Sequence, residues 1–222
     1  MIPPGPSDSS PKGAGKRWQK LHRDILACTR CVESGHLSSA APIFQGRPGQ
    51  PMMLIGQAPG IVELGSRKPF AGRAGRELER WVKRAGFDNE DHFRSLTYIT
   101  SVTKCFPGKS PAGSGDRRPS SVEVAQCRPW LLGQMELQRP RLIILMGTLA
   151  IAQFTTQLPA SSLDVLVGRI FETDAGGPLL LPLPHPSGAS RWLNAPGHRA
   201  RLEQALAVLG RKWPDLVEPG AG

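Results

Sequence analysis

Cysteine is rare in this chain: four residues among 222, at Cys28, Cys31, Cys105 and Cys127. Only the first two form a C-x-x-C pair, and the second pair that a zinc ribbon usually carries is missing. The opening residues show no secretory signal. Two disulfides, which need an oxidising compartment, are therefore not expected, and the expected location is the cytosol. No apolar run approaches the ~20 residues that cross a bilayer, so no membrane association is expected. There is no internal repeat. Acidic residues are in short supply, with 18 Asp and Glu against 28 Lys and Arg and a net charge of +10. That balance suits a polyanionic partner, nucleic acid first; the plainer alternative is a lineage that favours arginine. Clustering separates the two, because the basic residues concentrate at 67–84, 104–118 and 191–201.

The four cysteines are spaced to share one metal site. Cys28-Thr29-Arg30-Cys31 ends a helix-like run, Cys105 ends a strand-like run, Tyr98 to Cys105, and Cys127 lies in a helix-like run before Arg128-Pro129-Trp130. Soft thiolates in a set of four suit a [4Fe–4S] cluster or a structural Zn²⁺. The missing second pair tilts the reading toward iron–sulfur, and spacing alone leaves both open. Neighbouring Lys and Arg are expected to favour the thiolate form.

Length fits one domain. Residues 1–15, rich in Pro, Ser and Gly, read as a disordered tail, residues 16–213 as a single domain, and 214–222 as a loose C-terminal tail. Residues 16–27 place Trp18, Leu21, Ile25 and Leu26 on one side of a helix. Buried strands are expected at 52–56, about 96–102, 141–146 and 178–183, the last pairing with 167–172 across a turn. Between them fall an amphipathic helix at 74–85, stopped by Gly86, and a helix opened by a Ser120-x-x-Glu123 capping box. Pro129 is expected to kink that helix or to start a new one. A helix near 148–154 and a last one at 197–211 complete the set. Continuous apolar strands alternating with helices predict an α/β fold, a three-layer α/β/α sandwich around a mostly parallel four-stranded sheet. In such sheets ligands sit beyond the carboxyl ends of the strands. Three Gly/Pro-rich basic loops, 56–73, 101–118 and 184–195, fall at that edge.

The first loop, Gly56-Gln57-Ala58-Pro59-Gly60-Ile61-Val62-Glu63, gives a tight turn whose backbone can approach a ligand. It continues to Lys68-Pro69-Phe70-Ala71-Gly72-Arg73-Ala74-Gly75-Arg76, where a helix start flanked by Arg73 and Arg76 can hold a phosphate. Phe70 either stacks on a planar ring or packs in the core. The third loop, His185-Pro186-Ser187 through Asn194, holds a histidine rigidly between prolines. Its Arg191-Trp192 pair reads equally as a wedge into a duplex groove or as a buried anchor.

These motifs together resemble the uracil-DNA glycosylase superfamily, most closely its iron–sulfur branch, families four and five. Family four typically carries G-E-A-P-G with an acid three positions on, G-x-P-F-x-G-x-A-G, Y-I-T-N-x-x-K-C, a later cysteine before P-x-L, and H-P-S. This chain has Gly56-Gln57-Ala58-Pro59-Gly60 with Glu63, and Pro69-Phe70-Ala71-Gly72-Arg73-Ala74-Gly75. It then has Tyr98 through Cys105, Cys127-Arg128-Pro129-Trp130-Leu131, and His185-Pro186-Ser187, in the same order over about residues 20–210. The departures are Gln57 in place of Glu and Ser101 in place of Asn. Family five's acid, in its T-G-D-A-S-G stretch, is also missing, since Arg73 stands there. The chain resembles a divergent member without either family's usual acid.

The resemblance implies a DNA-repair hydrolase that flips a deaminated base out of the duplex and cuts its N-glycosidic bond. It implies a [4Fe–4S] cluster on the four cysteines and a DNA partner, and the chain is expected to work as a monomer. Carried over onto this sequence, Gly56, Ala58, Phe70 and Ser101 would hold the base, and His185 would donate to the developing anion. Glu63 or Gln57 would handle the water, with a solvated loop acid as the plain reading of Glu63. Arg73, Arg76, Lys104, Ser187 and Arg191 would meet the DNA. Ser101 cannot reproduce the two-point contact of an amide, which leaves hypoxanthine or xanthine, or a non-catalytic damaged-DNA-binding module, as alternatives. A zinc-dependent nucleic-acid protein is the alternative that rests on cysteines and charge alone.

Overall fold

The computed structural model describes residues 11–217 except 112, 114, 175 and 188–191. Four strands, β1 (Met52–Gly56), β2 (Thr97–Ser101), β3 (Leu142–Met146) and β4 (Leu179–Leu183), form one sheet in the order β2-β1-β3-β4, every pair parallel. β1, β2 and β3 are buried at every position. With no solvent face, β1 and β3 read as unbroken apolar runs rather than alternating ones, while β2 carries buried Thr97, Thr100 and Ser101. The pleat sends Met52 and Leu54 to one face and Met53 and Ile55 to the other, into two separate cores.

The first face is covered by α4 (Arg73–Arg84) through Leu78, Trp81 and Val82, and by α9 (His198–Val217) through Leu202, Leu206 and Leu209. The second is covered by α6 (Ser121–Gln138) through Leu131 and Met135 and by α7 (Thr148–Ile151) through Leu149 and Ala150. Outside them lies α1 (Pro11–Leu26), packed against α6. Short helices α2 (Arg30–Glu33), α3 (Ile61–Ser66), α5 (Glu90–Leu96) and α8 (Leu163–Leu166) complete the fold. The architecture is the expected three-layer α/β/α sandwich. Among the described residues no helix is long and apolar enough to cross a membrane.

Several boundaries differ from the sequence reading. Residues 11–15, assigned to a disordered tail, are the first turns of α1; proline is tolerated there because a helix's first N–H groups lack partners anyway. At the other end Pro214 lies inside α9, and the helix runs to Val217. Arg141 donates to the terminal carbonyls of Asp215 (3.1 Å) and Leu216 (3.0 Å), which gives groups left unpaired at a helix end a cationic partner. Trp213 stacks on Phe87 at 4.7 Å and donates to the Ala85 carbonyl, and Leu216 is buried. Pro129 neither breaks nor restarts α6. Leu26, expected inward, is 57% exposed, while Ile25 carries the packing. The hairpin expected before β4 reduces to a single antiparallel bridge, Phe171 to Leu180.

A polar relay crosses the second core. Thr100 Oγ1 donates to Gln134 Oε1 (2.9 Å), Gln134 Nε2 donates to the Tyr98 hydroxyl (2.8 Å), and that hydroxyl lies 2.9 Å from His22 Nε2. Since Tyr98 accepts from Gln134, its own proton points at His22, which must present a lone pair. Burial drops the His22 pKa to about 4. A depressed histidine adds stability above its unfolded value of about 6.5 and loses it as pH falls toward 4. The His22→Phe variant should therefore lose stability less steeply than the parent between pH 6.5 and 4.5, measured as urea midpoints across that range.

Candidate active site

At the carboxyl edge of the sheet a cleft of about 610 Å³ opens between the loops that follow all four strands, within the usual range for a small-molecule site. Gly56, Gln57 and Ala58 enter it from β1, Ser101 from β2, Gly147 and Thr148 from β3, and His185 and Ser187 from β4. Glu63, Phe70 and Arg73 line the same space. Glu63 and Phe70 from the first loop and His185 from the third thus share one cavity.

Phe70 is held by backbone strain and by a buried cation. Its φ is +56°, a left-handed conformation that side-chain-bearing residues rarely adopt. Arg94, itself buried, donates to the carbonyl of Pro69 (2.9 Å), the residue before Phe70, and to Gln45 Oε1 (2.8 Å). The Phe70 ring lies along the end of β1, where a Cβ on Gly56 would be 3.4 Å from Cζ. A Cβ on Gly75 would lie 1.6 Å from the Phe70 carbonyl oxygen, so only glycine lets α4 start so close to this loop.

Histidine 185 is fixed as a neutral donor. Its Nδ1 accepts from the backbone N–H of Ser187 (3.1 Å) and lies 2.9 Å from Ser187 Oγ. An acceptor at Nδ1 puts the proton of the neutral ring on Nε2. Burial lowers the His185 pKa, and the nearby charge of Glu63 only partly offsets it. Ser187 thus orients the ring from within the cleft.

Glu63 has less freedom than the sequence suggested. It is 9% exposed, and its two oxygens accept from backbone N–H groups of Gly60 (3.0 Å) and Gly72 (3.3 Å). Those groups sit at the starts of α3 and α4, so the carboxylate pins two helix N-termini together. Ser101 donates to the Thr103 carbonyl (2.8 Å), which turns its hydroxyl proton into its own loop. Gln57 accepts from Thr103 N–H through its backbone carbonyl (3.2 Å).

The expected DNA-facing residues divide. Arg73 is exposed at the start of α4 and lines the cleft; Arg76 is exposed but outside the cleft wall. Lys104 is a correction. It is 2% exposed, its ammonium bonds to the Ser101 carbonyl, and burial brings its pKa down to about 8; it cannot reach a phosphate from there. Arg191 lies outside the described residues. Its neighbour Trp192 is an anchor: the indole N–H donates to Asp164, and the ring stacks on His198 at 4.1 Å.

Two residues that the sequence reading passed over belong to the cleft wall, Asp116 and Arg117. Asp116 accepts from Lys109 Nζ (2.9 Å) and from Ile61 N–H (3.2 Å). Arg117 forms a two-point pair with Glu123, both contacts 2.7 Å. Burial opposes the Glu123 charge, but bonds from Arg117 and Ser120 outweigh it and bring the carboxyl down to about 2. The signal that could have found Asp116 is that it is the only acid in residues 101–118.

Behind the cleft, Cys28, Cys31, Cys105 and Cys127 line one further cavity, together with Lys104, Glu123 and Trp130. All four thiols are unpaired. Lys104 N–H lies 3.3 Å from Cys127 Sγ, and Trp130 Nε1–H lies 3.2 Å from Cys28 Sγ. Donors aimed at sulfur suit thiolate ligands. Among the described residues no group of three or more His, Cys, Asp or Glu side chains is close enough to hold a metal ion. Contrary to expectation, burial and not a nearby cation sets the direction at Cys31 and Cys105. Burial first, then neighbouring thiols, pushes Cys31 up to about 11, and burial likewise takes Cys105 to about 11.

Replacing Gly75 by alanine should destabilise the protein by at least ~2 kcal/mol through overpacking. That corresponds to a fall of several degrees in Tm for a chain of this size, measured by differential scanning calorimetry.

Residues 43–209 match the pattern of the uracil DNA glycosylase superfamily. The chain is 34% identical to a type-4 uracil-DNA glycosylase of Pyrobaculum aerophilum over 151 residues, 68% of this chain and 66% of that protein. It is 28% identical to the type-4 enzyme of Archaeoglobus fulgidus over 205 residues, 88% of this chain and 95% of that one. A type-5 uracil-DNA glycosylase of Pyrobaculum aerophilum is 28% identical over 217 residues, covering 86% and 90%. With four parallel strands, a cleft at their carboxyl edge and a family pattern spanning most of its length, the chain belongs to the uracil DNA glycosylase superfamily.

Proposed function

We propose that this protein hydrolyses the N-glycosidic bond of uracil in DNA, leaving an abasic site. The observation that carries the reading is His185: a half-buried, neutral imidazole, locked with its proton on Nε2, on the wall of a cleft that also holds Phe70. The names of the relatives and the charge of +10 agree with a DNA substrate.

The target nucleotide leaves the stack and its base enters the cleft. Phe70 stacks on the base, its ring held by the Arg94 contact and by the close approach of α4. Backbone N–H groups around Gln57 and Ala58 meet a base carbonyl. As the bond to the sugar lengthens, electrons move onto the base, and His185 Nε2–H donates to the oxygen where that charge collects. A neutral donor keeps its proton while stabilising the anion, and it needs no reorganisation during the step. Arg73 at the start of α4 meets a flanking phosphate, helped by the helix N-terminus. Gln57 can orient a water but cannot accept its proton.

The four cysteines are proposed to hold a [4Fe–4S] cluster; soft sulfur donors in a set of four and N–H groups aimed at two of them fit that group. When bound, it would tie the segment after α1 to the segment after β2 and to α6, and so shape the cleft from behind. A second reading, excision of hypoxanthine or xanthine, draws on Ser101, whose proton is turned to Thr103 and which offers no paired donor and acceptor to uracil.

A panel of duplex oligonucleotides bearing uracil, hypoxanthine or xanthine, scored for abasic sites under single-turnover conditions, tests both. Uracil should be cut fastest. Cleavage of only the purine lesions would replace the first reading with the second, and tight binding without cleavage would remove both. The His185→Ala variant should lose on the order of 10²–10³ in rate. Anaerobically purified protein should be brown and contain iron and acid-labile sulfide, and Cys127→Ser should lose both; a colourless protein with stoichiometric zinc would refute the cluster.

A further inference from the structure

The cleft wall carries two carboxylates, and they are unequally placed. Glu63 is pinned by two backbone N–H groups and is 9% exposed. Asp116 enters from the loop after β2, and its side chain is 31% exposed. Both reach the same point: a Cβ on Gly60 would lie 2.7 Å from Glu63 Oε2 and 2.9 Å from Asp116 Oδ2. Asp116 is held from two sides. Lys109 Nζ lies 2.9 Å from Oδ1, and Ile61 N–H, at the start of α3, lies 3.2 Å from Oδ2. Each oxygen keeps a further acceptor site. The next residue, Arg117, is bound to Glu123 and to the His36 carbonyl (3.3 Å), so the backbone behind Asp116 is fixed as well. An acid that is oriented, partly open to the cleft and still able to accept is placed to work on water.

We propose that Asp116 is the catalytic acid–base residue of this cleft, the group that orients and deprotonates the attacking water. The inference rests on the glycosylase reading above. It deepens that reading by naming the residue in a chain that carries Gln57 in the first loop. In the step, the water oxygen forms the new bond to C1′ as the C1′–N bond breaks. The bonding pair leaves with the base, whose negative charge meets His185 Nε2–H. The water proton passes to an Asp116 carboxylate oxygen and from there to solvent, and the released base takes up a proton from solvent. Glu63 acts on position, by holding the α3 and α4 starts that shape the pocket.

Single-turnover cleavage of uracil-containing duplex DNA is measured for the parent, Asp116→Asn, Asp116→Ala and Glu63→Gln. Tm is followed in parallel, together with affinity for a duplex carrying a non-cleavable 2′-fluorinated deoxyuridine. Asparagine still accepts from Ile61 N–H, so Asp116→Asn should keep the parent's Tm and affinity while losing roughly 10²-fold or more in rate. Added formate should restore part of the rate of Asp116→Ala, which a purely structural loss would not allow, and should not restore Glu63→Gln. Parental turnover in Asp116→Asn overturns the proposal, as does a loss that follows weakened binding or Tm, or formate rescue confined to Glu63→Gln. If the parent itself does not cut uracil, the function proposed above fails. If the parent cuts and Asp116→Asn cuts equally well, only the assignment of Asp116 fails.

Discussion

The cleft depends on carboxylates bonded to backbone N–H groups where helices begin. A helix starts with several donors that have no partner within it; the starts of α3 and α4 line the pocket, and the start of α6 lies behind it, beside the cysteine cavity. Glu63 accepts from Gly60 and Gly72, which sets the α3 and α4 starts against each other. Asp116 accepts from Ile61, which brings the loop after β2 onto α3. Glu123 accepts from Ser120 N–H (2.8 Å) at the α6 start while it grips Arg117. Remove these contacts and the loops after β1 and β2 lose polar ties that hold their shape. Charge-assisted bonds of this kind are roughly twice as strong as neutral ones, and they lie at the edge of the sheet where apolar packing is thinnest.

The same contacts join the cleft to the cysteine cavity. Cys127 lies one turn beyond Glu123 on α6, and Glu123 lines the cysteine cavity while its partner Arg117 lines the cleft. Lys104 lies between the two, its N–H toward Cys127 and its ammonium on the carbonyl of Ser101. A displacement of α6 is therefore transmitted to the base pocket through rigid groups, not through a flexible loop. Burial keeps the Cys31 and Cys105 thiols protonated at neutral pH, so ligand binding at that cavity must displace protons, and filling it is coupled to the order of the loops in front.

Most of the framework was legible because fully buried strands cannot hide: Met52–Gly56 and Leu142–Met146 are continuous apolar runs. The capping box at Ser120 and the glycine after α4 are local signals with local causes. The convergence of Phe70 and His185 was legible for a topological reason, since parallel strands bring all their following loops to one edge. What failed was charge. Lys104 reads as a basic residue in a basic loop, but its burial follows from the path of the chain behind β2, which no local pattern encodes. Glu63 reads as an available acid until its two backbone partners, Gly60 and Gly72, are seen together. Asp116 and Arg117 were lost in a loop that composition marks as irregular, although the loop is held by a backbone bridge from Lys109 to Asp116. The helical ends at Pro11 and Pro214 were not legible because composition marks both ends as irregular, while contacts made far along the chain, such as Arg141 on the α9 end, are invisible locally.

The neutral Gln57 makes electrostatic sense beside this arrangement. Like charges sharing a low-dielectric pocket raise each other's energy by several kcal/mol at close range, and one of them protonates in response. Glu63 and Asp116 already flank Gly60, and each accepts from backbone N–H; Lys109 adds a cation on the open side. A third carboxylate at position 57 would add a further negative charge to the same cleft wall. An amide there keeps the hydrogen-bonding shape of the loop without adding to that repulsion. It also leaves the positive potential of Arg73 undiminished at the mouth, where a polyanion would first be met. Two carboxylates thus share this cleft wall with unequal exposure, Glu63 bound to two helix starts and nearly buried, Asp116 more open.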